Sequence, residues 1–259
     1  MAERIQGARI ELSPRKKAFI DGVTRLFAWR LQIEGSEVFG EVRELLNQDT
    51  PVEIFPNHLS HADGAMLNTV LKKEASDIEE KLVFIVGTVI LKNHLTRFLL
   101  PYRGIAIPSQ RRKPATPQEW EERKLQVDSA FEAAGDALRG GEVVVNFAEG
   151  SRSRERKMVQ ADEKIVQYFY LVPNIHIVPV GIWGTEKLLP PDTRIIIPRP
   201  WAKVSMKFGK PISVDELEDR VGESPTKHEN DQRLVDEVMR EVANLLPPKY
   251  RGYYGDPET

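Results

Sequence analysis

Cysteine is absent from the 259-residue sequence, which excludes a disulfide scaffold and a thiol nucleophile and is compatible with a reducing cytosol. The sequence also lacks a Gly-x-Ser-x-Gly nucleophile elbow. No apolar run approaches the roughly 18 residues of a membrane-spanning helix, and the N-terminus has no signal-peptide core. We therefore expect a cytoplasmic protein that is soluble or bound peripherally to the inner face of a membrane.

The apolar residues, 41% of the chain, are spread along its length and can form one full core. Short apolar runs alternate with helical segments, which predicts a single α/β domain with a central, mostly parallel mixed sheet flanked by helices. Within this domain of residues 1–259 we distinguish a basic amphipathic segment (1–30), a core (31–215) that carries the chemistry, and a C-terminal helix and strap (216–259).

Charge is distributed unevenly although the net charge is only −2. Residues 1–30 hold seven Lys/Arg and three Asp/Glu (+4), whereas residues 215–259 hold six and twelve (−6). This balance argues against a nucleic-acid binder, while the positive start predicts contact with an anionic surface. A helix beginning at Ser13-Pro14 carries Phe19, Val23, Leu26 and Phe27 at helical spacing. Its apolar stripe either packs on the core or lies on anionic lipid.

A histidine and a carboxylate occur together at a strand-to-helix junction. Residues 51–55 are an apolar, strand-like run, residues 62–73 have helical composition, and Ser60 is in the position of an N-cap. Asp63 follows at the position from which a carboxylate returns to the cap backbone. Because the chain must turn between them, His58 and Asp63 can meet, and a histidine held in this way is suited to act as a general base.

Two other interpretations of these residues remain open. His58 could be a structural histidine beside a helix-capping aspartate. His58, His61 and Asp63 also resemble the H-x-H-x-D-H run of metallohydrolases, but Leu59 and Gly64 stand where two of its histidines belong.

A second centre of chemistry follows the most β-rich run, residues 142–147. This run leads directly into a small loop that contains Glu149, Gly150, Ser151 and Arg152. Ligands commonly bind at the ends of buried parallel strands, and arginine offers donors suited to phosphate. The loop is either a phosphate site or a solvated basic surface.

Taken together, these blocks resemble the glycerolipid acyltransferase family over residues 30–215. The motif N-H-x-S-x-x-D is met by Asn57, His58, Ser60 and Asp63. F-P-E-G-T-R-S is met by Phe147, Glu149, Gly150, Arg152 and Ser153, with Ala148 and Ser151 at the other two positions, and an apolar V-P-V motif is met by Val178, Pro179 and Val180. The sequence departs from the family's second motif, because the arginine that the motif places near Ser109 or Gln110 is missing. Arg103 or Arg111 is the candidate to replace it.

The resemblance implies an O-acyltransferase that needs no cofactor and no metal. It would move a fatty acyl group from acyl-CoA or acyl carrier protein to glycerol 3-phosphate or 1-acylglycerol 3-phosphate in phospholipid synthesis. His58 would be the base and Asp63 would orient it. Glu149, Gly150, Ser151 and Arg152, with Arg103 or Arg111, would bind the acceptor, and Pro179 would shape the acyl pocket. An unphosphorylated or glycosylated acceptor, a lipid or thioester hydrolase and a non-catalytic lipid-binding protein remain as alternatives.

Overall fold

The computed structural model describes residues 4–6, 9–88, 103–108, 115–150, 153, 155–189, 199, 201–222 and 225–255, and the strands in these ranges form one mixed sheet. The strands are β1 (Arg4–Gln6), β2 (Arg9–Glu11), β3 (Leu31–Glu34), β4 (Val52–Pro56), β5 (Leu82–Gly87), β6 (Arg103–Ile107), β7 (Val143–Val145), β8 (His176–Trp183), β9 (Val204–Phe208) and β10 (Ile212–Ser213). Their order is β1-β2-β6-β5-β7-β4-β8-β9-β3, and β10 pairs with β8.

Five neighbouring strands in the middle of the sheet, β6, β5, β7, β4 and β8, run parallel to one another. Strand β9 is antiparallel to β8, and β3 is parallel to β9. The carboxyl ends of the five central strands therefore meet at one edge, which we call the carboxyl edge. The amino ends of β3 and β9 lie at the same edge.

Helices cover both faces of the sheet. They are α1 (Pro14–Phe27), α2 (Val38–Asn47), α3 (Asp63–Glu74), α4 (Ser76–Glu79), α5 (Pro117–Arg139), α6 (Thr185–Leu188), α7 (Val214–Val221) and α8 (Lys227–Leu245), with 3-10 helices at Ala28–Arg30, Glu163–Leu171, Pro248–Tyr250 and Gly252–Tyr254. Residues of α1, α2 and α3 form the core on one face, and residues of α5, α7, α8 and the Glu163–Leu171 helix form the core on the other. The alternation of side chains along β4, with Ile54 in the first core and Phe55 in the second, joins the two layers.

The predicted fold class is confirmed: the protein is a single α/β domain with a mixed central sheet flanked by helices. Residues 31–34 and 103–107, for which the sequence predicts strands, form β3 and β6, and α3 follows β4 as expected. Pro179 cannot donate a hydrogen bond to a neighbouring strand, which predicts an edge or a bend at its position. The edge is wrong, because β8 lies between β4 and β9. Its neighbour is interrupted there: β9 ends at Phe208 and β10 begins at Ile212, so a residue without an N–H is tolerated.

For the N-terminal helix the sequence left two alternatives, packing on the core or contact with lipid, and the structure decides between them for one face only. Ile20 and Thr24 of α1 are buried, and Ile20 belongs to the first core, so one face of the helix packs on the domain. The side chains of the predicted stripe, Phe19, Val23, Leu26 and Phe27, lie outside the described residues. The apolar spacing of residues 89–100 also predicts a helix, and this segment lies outside the described residues as well.

Candidate active site

The site is assembled where β4, β7 and β8 end at the carboxyl edge. Asn57, the first residue after β4, is fully buried and joins two of these strand ends. Its amide nitrogen donates to the carbonyl oxygen of Ile182 (2.9 Å), and its amide oxygen accepts from the Ile182 N–H (2.7 Å). The side chain thus extends the β4–β8 ladder beyond Pro56 and fixes the start of the loop that carries His58.

The imidazole of His58 is held by Asp63, the first residue of α3. Nδ1 of His58 lies 2.8 Å from Oδ2 of Asp63, and the same oxygen accepts from the N–H groups of Leu59 (2.7 Å) and Ser60 (2.8 Å). Three hydrogen bonds therefore converge on one carboxylate oxygen of a side chain that is fully buried. The predicted His–Asp pair and the predicted return of Asp63 to the Ser60 backbone are both confirmed.

The hydrogen bonds to Asp63 also determine the tautomer of His58. Because Oδ2 already accepts from two amide N–H groups, it is an acceptor toward the imidazole as well, so Nδ1 carries the proton. The lone pair then resides on Nε2. The His58 side chain is 16% exposed, and its ring lies 4.5 Å from that of Phe147. The pair therefore presents a basic nitrogen from a mostly enclosed position that retains an opening.

The prediction that Ser60 caps α3 is wrong, and its hydroxyl has a different role. The N-cap is Ala62, and the helix begins at Asp63. The Ser60 hydroxyl accepts from the Ala62 N–H (3.1 Å), which lies ahead of the helix, and donates to the Leu189 carbonyl (2.9 Å). Ser60 thus attaches the histidine loop to the segment that follows α6.

Glu149 supports the histidine from the other side. One of its carboxylate oxygens accepts from the His58 N–H (2.7 Å), and the other accepts from the Val159 N–H (2.9 Å). Burial raises the pKa of Glu149 to about 8, opposed by these two amides and reinforced by the nearby charge of Asp63. Its contacts therefore position the backbone of His58, and its part in acceptor binding stays a prediction.

The loop after β7 is attached to the same residue. The Ser153 N–H donates to the carbonyl oxygen of His58 (3.2 Å), and Gly150 is exposed with φ +60°, a value that disfavours any residue with a Cβ. Both backbone groups of His58 are thus bonded to this motif. The predicted acceptor-binding residues Ser151 and Arg152 lie between these two positions in the sequence and outside the described residues.

Arg103 is not brought to this site. It begins β6 and so lies at the amino ends of the parallel strands, across the sheet from His58. There it forms an ion pair with Glu142 and donates to the Glu80 carbonyl oxygen (3.0 Å). Arg111, the other candidate to replace the missing arginine, lies outside the described residues. Pro179 is buried within β8, beside Phe55 of β4.

Sequence reasoning missed a buried polar group beneath the site. The Tyr168 hydroxyl donates to Glu53 of β4 and accepts from the Asn146 side-chain amide (2.9 Å), while the Asn146 N–H donates to the Ile54 carbonyl (3.0 Å). Burial raises the pKa of Glu53 to about 8. The available signal was a single charged residue in the apolar run of residues 51–55, because a buried carboxyl needs partners.

The arrangement is suited to proton abstraction by Nε2 of His58. Across the described ranges, no group of three or more His, Cys, Asp and Glu side chains could hold a metal ion. The Asp63 carboxylate would stabilise the imidazolium that proton abstraction forms.

Comparison with known proteins identifies the class to which this site belongs. A family model described as "Acyltransferase" matches residues 31–183, which include both strand-end motifs. The chain therefore belongs to the acyltransferase family, the family of the glycerolipid acyltransferases. No significant match was found among curated proteins. Among the described residues, no helix is long and apolar enough to cross a membrane.

Proposed function

We propose that this acyltransferase moves a fatty acyl group from an acyl thioester, acyl-CoA or acyl carrier protein, to a hydroxyl of glycerol 3-phosphate or 1-acylglycerol 3-phosphate. The observation that carries the proposal is the 2.8 Å contact between Nδ1 of His58 and Oδ2 of Asp63, because it leaves Nε2 as a base. The family match supports acyl transfer, and the motif resemblance supports a glycerol phosphate acceptor.

In the proposed mechanism, Nε2 of His58 takes the proton of the acceptor hydroxyl as the oxygen attacks the thioester carbonyl. The tetrahedral intermediate then collapses, the carbon–sulfur bond breaks, and the imidazolium returns its proton to the leaving thiolate. Asp63 stabilises the imidazolium that exists between the two steps. Base catalysis of this kind contributes about 10²–10⁴-fold in rate, and positioning of the two substrates contributes the remainder.

The acceptor's phosphate is proposed to bind Arg152. This residue directly precedes Ser153, whose N–H is bonded to the His58 carbonyl oxygen, and it follows Gly150 at the end of the buried strand β7. Arg111 follows β6, whose carboxyl end is at the same edge of the sheet, and is the second candidate. Arg103 is not included, because it lies at the opposite edge.

The decisive experiment measures thiol release from acyl-CoA and from acyl carrier protein across a panel of acceptors. Glycerol 3-phosphate, 1-acylglycerol 3-phosphate, glycerol and a monoacylglycerol would be compared with no acceptor. We expect thiol release to require a phosphorylated acceptor and to yield its acyl ester. Thiol release that is equally fast without acceptor would identify a thioester hydrolase instead, with the same histidine activating water.

A further inference from the structure

The exposed tryptophans are concentrated at the carboxyl edge of the sheet. Trp29, Trp120 and Trp201 are 68%, 54% and 62% exposed, and they are three of the four tryptophans in the chain. Trp29 lies two residues before β3, and Trp201 lies three residues before β9. Trp120 lies in the first turn of α5, the helix that follows β6. All three therefore lie at the edge to which His58 opens.

Trp29 and Trp201 form one surface, which we call the tryptophan corner. Arg30 links them: its guanidinium lies 5.4 Å from the centre of the Trp29 ring and donates to the Trp201 carbonyl oxygen (2.8 Å). Leu31 pairs with Val204 of β9, and Arg199 together with residues 201–203, which lie just ahead of β9, completes the corner. Two mostly exposed aromatic side chains thus flank one arginine, each just ahead of a strand of the sheet.

Within the part of the chain that the structure describes, the exposed charges around the corner have one sign. Its exposed charged side chains in the described ranges are Arg30, Lys187, Arg199 and Lys203. Lys187 belongs to this group because the Arg199 N–H donates to the carbonyl oxygen of Leu188 (2.9 Å). Indole rings partition to the headgroup level of a bilayer, and basic side chains beside them bind anionic headgroups.

The corner is close to the histidine loop. Three strand spacings, from β4 through β8 and β9 to β3, separate them, a distance of about 15 Å. A direct connection also exists, since the Ser60 hydroxyl donates to the Leu189 carbonyl oxygen, and Leu189 is next to the residue that binds Arg199. By contrast, α1 begins after β2, whose last residue pairs with Arg103. Arg15 and Lys17 therefore start at the opposite edge, away from His58.

We infer that the tryptophan corner docks the protein on an anionic phospholipid bilayer and turns the carboxyl edge toward it. In this orientation a lipid acceptor would need to rise only a short distance to reach His58; this consequence rests on the proposed function, whereas the docking does not. The two indoles favour lipid over an acidic protein partner, because charge alone would suffice for the latter.

Co-sedimentation with vesicles tests the docking without any assay of activity. Vesicles of mixed phosphatidylglycerol and phosphatidylcholine would be compared with phosphatidylcholine alone. We expect Trp29→Ser combined with Trp201→Ser to weaken binding about tenfold or more. Arg199→Gln combined with Lys203→Gln should weaken it by about fivefold for each charge removed, and the loss should grow smaller at high salt.

The matched controls lie at the opposite edge. Arg15→Gln combined with Lys81→Gln removes the same charge, since both side chains are exposed there, and Leu171→Ser removes an apolar side chain that is 54% exposed. These controls should bind as the unmodified protein does. Circular dichroism and the thermal midpoint of every variant verify folding, and Trp201→Phe provides a milder substitution if the serine pair is unstable.

Equal losses from the corner and control variants, or no binding by the unmodified protein, would overturn the inference. It would also be overturned if the corner variants bound vesicles normally but lost activity with acyl carrier protein thioesters alone, because the surface would then serve the carrier protein. Thiol release with water-soluble glycerol 3-phosphate separates the two proposals. If that activity persists while vesicle binding is absent, only the docking inference fails; if vesicle binding holds and no acceptor supports transfer, only the proposed function fails.

Discussion

Replacement of Asp63 by asparagine separates its charge from its hydrogen bonds. All three donors, the N–H groups of Leu59 and Ser60 and Nδ1 of His58, converge on the single oxygen Oδ2. The amide oxygen of asparagine can occupy that place and keep all three bonds, with the NH₂ group where Oδ1 stands without a partner. The reverse orientation would set NH₂ against three donors and is therefore excluded.

The magnitudes follow from this geometry. Asp63→Asn loses the difference between a charge-assisted and a neutral hydrogen bond to His58, about 1–2 kcal/mol in the transition state, which corresponds to roughly a five- to thirtyfold loss of kcat. Its stability should fall by only about 1 kcal/mol through the lost interaction with the helix dipole. Asp63→Ala instead leaves two buried amides without an acceptor, at about 1–3 kcal/mol each.

The assay combines two measurements on the same preparations. Thiol release at saturating acceptor gives kcat, and urea unfolding gives the free energy of unfolding. We expect the asparagine variant to be slow but nearly as stable as the unmodified protein, and the alanine variant to be both slow and markedly less stable. An asparagine variant with full kcat would refute the role of the carboxylate charge, and one as unstable as the alanine variant would refute the arrangement of three donors on one oxygen.

Three further predictions test the base, the phosphate ligand and the buried carboxyl. His58→Ala should lose about 10²–10⁴-fold in kcat with folding intact, whereas His61→Ala should be mild; equal losses, or inhibition by chelators, would favour a metal site. Arg152→Ala should raise the KM for the phosphorylated acceptor about ten- to a hundredfold without changing acyl-donor saturation, and full use of glycerol by the unmodified protein would contradict a phosphate acceptor. Because the pKa of Glu53 is about 8 when folded and 4.5 when exposed, only the folded state keeps its proton between these values. The free energy of unfolding should therefore fall as pH rises, with a contribution of up to about 1.4 kcal/mol per pH unit that Glu53→Gln removes; identical slopes from urea unfolding of both proteins would show that Glu53 is ionised in the fold.

The sequence was sufficient to predict the part of the site that depends on local geometry. A strand, a turn and a helix occur within a few residues, so the meeting of His58 and Asp63 follows from the chain path alone. The error at Ser60 has the same local origin. The helix begins at Asp63 and not directly after Ser60, so the Ser60 hydroxyl accepts from the Ala62 N–H ahead of the helix and donates to Leu189. Hydrogen bonds between segments that are distant along the chain, such as the one from the Val159 N–H to Glu149, cannot be predicted from a local pattern in the sequence.

Strand direction decides which basic residues can share the site with His58, and it explains the remaining differences. Arg103 was a candidate because it stands near the second motif, but it begins its strand, and a parallel strand that ends at the carboxyl edge must begin at the opposite one. The same argument separates the positive charges of the N-terminal segment. Arg15 begins α1 far from the site, while Arg30 follows α1 at the carboxyl edge and contacts Trp201. A sum of charges over residues 1–30 treats the two arginines alike, whereas the direction of α1 across the sheet places only Arg30 where a bilayer and the histidine could be reached together.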